Sequence, residues 1–225
     1  MFTIEALLAG LALLPIMIIL LSIHEFAHAW SAWKLGDDTA SREGRLTLNP
    51  VAHIDLLGTI LLPLAGIPFG WAKPVPVNPA RFRREVTMGR GMAITAAAGP
   101  ISNIVLALLA AIAVGLVARL APDLLETRTA VRQLLLGGVV SGRWLPGLLQ
   151  LNVSLALFNL IPLPPLDGSR IVAWLLPYDL RNKWHDLERF SPYLLLAVFW
   201  FGGRLVSGPI FAVTELLLGI SRAIA

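Results

Sequence analysis

From Ala6 to Trp33 the sequence runs 28 residues in which the only ionisable side chains are His24, Glu25 and His28. As a helix this stretch is about 42 Å long, more than the ~30 Å of hydrocarbon in a bilayer. That constrains the chain more than any other feature, because a segment so apolar has no stable place on a water-facing surface. Three further stretches behave alike: Gly91–Ala118 and Trp144–Leu166 carry no charge, and a last apolar region from Phe190 is interrupted at Arg204. Charged residues make up 14% of the 225, against ~25% in a soluble domain, so polar surface is short throughout. The expected fold is all-α integral membrane, a single domain over residues 1–225. It is a bundle of about four or more transmembrane helices over about 6–33, 91–118, 144–166 and 190–218.

The connections refine this picture. LLGTILLPLAGIPFGWAKPVPVNP is broken by Gly58, Pro63, Gly66, Pro68 and Gly70, which disfavours a straight helix. The alternation near Lys73–Val77 suits extended backbone, so 57–77 is expected to form a small re-entrant β element whose backbone is buried against protein. Ala, Gly, Thr and Ser crowd the first half of Gly91–Ala118, the composition of a helix in close contact with neighbours. Arg119–Arg143 reads as a mixed polar connection. Cysteine is absent, which excludes disulfides and thiol chemistry.

The net charge of +4 and pI of about 10.1 do not point to nucleic acid, because the basic residues lie mostly between apolar segments. Twelve of the eighteen fall in 34–90 and 163–191, which places those loops in the cytoplasm. Met1–Glu5 has no Lys or Arg and the apolar stretch after it is long, so no cleavable signal peptide is expected. The expected setting is a prokaryotic cytoplasmic membrane, spanned several times, with the site nearer the cytoplasmic side.

His24-Glu25-Phe26-Ala27-His28 fits H-E-x-x-H. On a helix, positions i and i+4 share a face, so both imidazoles reach one ion, and Glu25 can take a proton from a water beside it. Ionisable groups at membrane depth are costly unless paired or metal-bound, which favours a functional reading over chance. Zinc suits two imidazoles and a carboxylate. A third ligand must come from elsewhere. Lys34 stands where a third His would continue the motif, and Glu43, His53, Asp55 and His185 are candidates. Asp167 is favoured over Glu43, since it directly follows the proline-rich end of an uncharged span and precedes Gly168. The alternative is that Asp167 merely caps a helix.

Together these residues resemble the site-2 protease family of intramembrane zinc metalloproteases. The likeness rests on His24-Glu25-x-x-His28, on Asn159-x-x-Pro162-x-Pro164-x-Leu166-Asp167-Gly168, on Gly99-Pro100-x-x-Asn103, and on Asn49-Pro50 with His53-Ile54-Asp55. It covers roughly residues 10–205. The resemblance implies one zinc ion per chain held by His24, His28 and Asp167, with Glu25 activating water. It implies substrate contacts from Asn159 and Asn103, and a re-entrant element at 57–77 that pairs with unwound substrate. Transmembrane proteins are the implied substrates, in contact with the bilayer and without nucleic acid. The PDZ insert and CBS domain of other branches are missing, so a minimal core is expected. The rival reading is a non-proteolytic zinc protein of the membrane: a transporter, sensor or scaffold.

Overall fold

The long apolar stretch folds as one helix, α1, over Ile4–Lys34, with Pro15 inside it. The computed structural model describes residues 4–65, 70–120, 144–198, 201 and 203–225. The short helices α2 (Thr39–Arg42) and α3 (Leu62–Leu64) follow in the polar region. The long helix α4 spans Met88–Leu120. After it come α5 (Trp144–Asn159), α6 (Asp167–Leu175), α7 (Tyr178–Glu188), α8 (Ser191–Ala197) and α9 (Gly203–Ile224).

Three helical stretches are long and apolar enough to cross a membrane: Leu14–Lys34, Met88–Leu120 and Val206–Ile224. The chain is a helical membrane protein. Two boundaries differ from the sequence reading. The expected third span, 144–166, stops as a helix at Asn159, because Pro162, Pro164 and Pro165 offer no N–H to continue the ladder. The resulting 16 residues reach only about 24 Å. The expected last span, 190–218, ends later, since α9 runs on to Ile224, while α8 covers Ser191–Ala197. The 121–143 part of the expected polar connection lies outside the described residues, as does the Arg204 side chain.

No strand occurs among the described residues, so the β element expected at 57–77 is not found in that form. Leu56–Leu61 instead winds into wide π-type turns that lead into α3. The cause is local. The Asp55 side chain accepts from Gly58 N at 2.7 Å, starting a helical turn where a strand was expected. Residues 70–78 form neither helix nor strand, and 66–69 lie outside the described set.

α4 is the hub, packing on α1, α5, α6 and α9. Ala107 and Ala111 of α4 meet Leu149 and Val153 of α5 and Leu217 of α9 in one buried cluster. Small side chains allow the close approach expected of this helix. A Cβ on Gly115 would stand 2.7 Å from Ser221 O, and the Ser221 hydroxyl donates to Ala111 O at 2.7 Å. A second cluster of Ile161, Leu166, Val198 and Val206 secures the irregular stretch between α5 and α6, which delivers Asp167.

Candidate metal centre

His24 and His28 lie one turn apart on α1, both buried, with ring centroids 4.6 Å apart and planes at 84°. What fixes each ring is on α4. His24 Nδ1 donates to Asn103 Oδ1 at 2.6 Å, and His28 Nδ1 donates to Thr95 O at 2.7 Å. The Asn103 orientation is itself dictated. Its Nδ2 donates to Asn152 Oδ1 on α5 at 3.0 Å, and Asn152 Nδ2 donates to the Leu148 carbonyl at 2.9 Å. A relay ending on a backbone carbonyl leaves Asn103 only its oxygen to offer His24. Both imidazoles therefore carry their proton on Nδ1 and present a bare Nε2.

Asp167, the first residue of α6, meets those two atoms. Its Oδ2 lies 3.2 Å from His24 Nε2 and 3.3 Å from His28 Nε2. Gly168 makes the seat possible, since a Cβ there would stand 2.5 Å from Ile161 O and closer still to Leu160 O. Three acceptors with no proton between them repel unless a cation sits among them. A tetrahedral zinc with bonds of about 2.0–2.1 Å spaces its ligands about 3.3 Å apart, matching the observed separations. Room is kept by Gly99 of α4, where a Cβ would stand 2.5 Å from His24 Nε2 and closer still to His28 Nε2. The donor set, its spacing and this cleared side all fit zinc.

Glu25 offers a carboxylate oxygen within 4.8 Å of a ring nitrogen of each imidazole. Its Oε2 accepts from Val75 N at 2.9 Å, in the irregular segment 70–78. That segment is strapped down by buried polar groups that the sequence did not flag. Arg45 donates to Lys73 O at 2.5 Å and Pro74 O at 3.2 Å; fully buried Asp37 accepts from Asn78 N at 2.6 Å; Thr59 donates to Trp71 O at 2.8 Å. Arg45→Ala strips two carbonyls of a charged donor and is expected to cost about 1.5–3 kcal/mol of stability. A lowered denaturation midpoint, with faster amide exchange at Val75, is the readout.

The remaining sequence candidates separate clearly. Asn159 lines the cavity above the donors while its Nδ2 donates to Leu155 O at 2.9 Å. Asn103, read as a substrate contact, is fully buried behind His24 with both ends of its carboxamide engaged. It therefore has no face toward a substrate. His53 is buried with Nε2 on Thr47 O at 2.8 Å, Asp55 caps the turn at Gly58, and Glu43 follows α2. None of these three is placed with the donors, and the His185 side chain lies outside the described set. Removing the Asn103 contact should loosen the His24 ring. Asn103→Ala is expected to weaken zinc binding about 10–100-fold in a chelator competition, with the helices intact.

The cavity over the donors is about 610 Å³, with Leu21, Trp71, Val75, Phe158, Leu195 and Ile210 among its walls. A largely apolar chamber with His24, His28 and Asp167 in its lining thus lies among membrane-capable helices. Comparison with known proteins carries this further. The chain is 40% identical over 194 residues to "Putative zinc metalloprotease YwhC" of Bacillus subtilis, covering 84% of this chain and 82% of that one. It is 32% identical over 148 residues to "Putative zinc metalloprotease Rip2" of Mycolicibacterium smegmatis, covering 66% of this chain and 51% of that one. The Rip2 of Mycobacterium tuberculosis is 27% identical over 190 residues, covering 81% and 67%. The chain belongs to the site-2 protease family. No family profile matches it, and no solved structure matches it significantly.

Proposed function

We propose that the chain is a zinc metalloendopeptidase that cuts peptide bonds within or near the transmembrane segments of other membrane proteins. The observation that carries this reading is the convergence of His24 Nε2, His28 Nε2 and Asp167 Oδ2 at 3.2–3.3 Å below a largely apolar cavity. His24, His28 and Asp167 would hold one zinc ion, which supplies Lewis acidity to a water and to the scissile carbonyl. Glu25 takes the proton from the attacking water and returns it to the departing amide nitrogen. Asn103 and the Thr95 carbonyl hold the imidazoles in their donor tautomer, so Asn103 acts as a positioning residue.

A substrate helix must unwind to expose a carbonyl, since helical carbonyls are already bonded. The strap at 70–78, which lines the cavity, offers backbone against which an unwound segment can lie, with Asn159 also lining the cavity as a further backbone contact. α5 would complete a fourth crossing together with the irregular, turn-rich Leu160–Leu166. The basic loops 34–90 and 163–191 favour the cytoplasmic face of a cell membrane for the site.

The test uses the purified chain in lipid nanodiscs with a model transmembrane substrate. Cleavage should vanish on chelation and return with one equivalent of zinc. A chain that binds zinc stoichiometrically yet cleaves no transmembrane substrate, while passing zinc into liposomes, would replace the protease by a transporter.

A further inference from the structure

A second cavity, of about 510 Å³, opens at the last turn of α1 and shares no lining residue with the one over the metal donors. Trp33, Lys34, Gly36, Asp38, Arg81 and Arg83 line it. Its walls are built by a close backbone approach. Gly36 adopts φ 109°, and a Cβ there would stand 2.9 Å from Arg83 Cγ and 3.0 Å from Arg83 N. The Arg83 N–H donates to Leu35 O at 2.8 Å, clamping the turn before α4 onto the end of α1.

The charges in this cavity do not balance. Its one carboxylate, Asp38, is shared between Arg81 at 2.8 Å and Arg42 at 2.7 Å. The Arg42 guanidinium bonded to it holds that carboxyl below the usual carboxylate range, so it remains an anion committed to those partners. Lys34 and Arg83 are left uncompensated: Arg83 has no ion pair among the described residues. The Lys34 ammonium instead lies 5.0 Å over the Trp33 ring and 5.5 Å over the Trp30 ring.

Position identifies the anion. The candidate span of α1 ends at Lys34 and that of α4 begins at Met88, so the cavity lies where two crossings leave the hydrocarbon together. Trp30 and Trp33 are 48% and 43% exposed there, the placement of indoles at a membrane–water boundary. We propose that this cavity binds the phosphodiester headgroup of an anionic membrane lipid. Arg83 presents its planar fork to two phosphate oxygens, Lys34 adds a point charge, and the two indoles flank the glycerol and upper acyl chains.

The test titrates the full-length chain in detergent with dioleoylphosphatidylglycerol, dioleoylphosphatidylcholine or inorganic phosphate and counts bound molecules by native mass spectrometry. Phosphatidylglycerol should bind at least about 10-fold tighter than phosphatidylcholine. Lys34→Ala/Arg83→Ala should lower that affinity about 10–30-fold, two cations near an anionic headgroup being removed, while one zinc per chain is retained. Should the double variant lose zinc, Arg83→Gln alone is the readout, with a loss of about 5-fold expected. Equal binding of both lipids with saturable uptake of inorganic phosphate would assign the cavity to a soluble anion and overturn the lipid assignment. Phosphatidylglycerol binding unchanged by the substitutions would overturn the site itself.

Discussion

Glu25→Gln leaves one zinc per chain and lowers cleavage of a transmembrane substrate by about 10²–10⁴-fold. The reason lies in what the substitution keeps. Val75 N–H donates to Glu25 Oε2, and an amide oxygen at the same place still accepts that bond, so the strap should stay seated. The metal donors belong to other side chains and keep their Nδ1 contacts on α4. Only the ability to take a proton is lost. Metal analysis and single-turnover cleavage on the same preparation separate the two quantities. Full activity would move the proton acceptor away from Glu25; a parallel loss of zinc would make Glu25 a ligand.

Gly99→Ala is expected to abolish zinc binding although the new side chain is one methyl group. A Cβ there would press on both Nε2 atoms, and α4 has nowhere to retreat, since Ala93 and Ala96 are already buried in its contact with neighbours. The rings must turn instead, which breaks their bonds to Asn103 and Thr95. Overpacking of this kind costs about 1–3 kcal/mol, so the chain should still fold. Gly115→Ala is the control: its Cβ would press on Ser221 of α9, so stability should fall while zinc content holds. Normal zinc stoichiometry in Gly99→Ala would mean that the donors gather differently from the geometry described.

The sequence carries the chemistry of the centre better than its surroundings. H-E-x-x-H and the carboxylate after a proline-rich helix end are strings of side chains, and the fold sets Asp167 Oδ2 3.2–3.3 Å from the two imidazoles. The long helices were legible too, because hydropathy reports length: 6–33 became Ile4–Lys34 and 91–118 became Met88–Leu120. Hydropathy does not report where a helix ends inside an apolar run, and 144–166 therefore concealed the break at Asn159. Alternation suits extended backbone but does not tell whether a neighbour pairs with it, so Lys73–Val77 reads as part of a β element, while no strand forms there among the described residues. The Thr95 carbonyl leaves no trace in a sequence. Asn152, Asp37 and Arg45 are ordinary polar residues until tertiary contacts give each a partner, and Asn103, though part of a motif, takes partners that the motif does not show. Gly99 stood within a quoted motif, yet its task of leaving space needs coordinates to be seen.

The donors sit 143 positions apart along the polypeptide, between His24 and Asp167. A nascent chain emerging from the ribosome would present its two histidines long before the aspartate is synthesised. Tight capture of the ion must therefore wait until Asp167 has been made and has folded back onto α1. Until then the two imidazoles stand without their third partner.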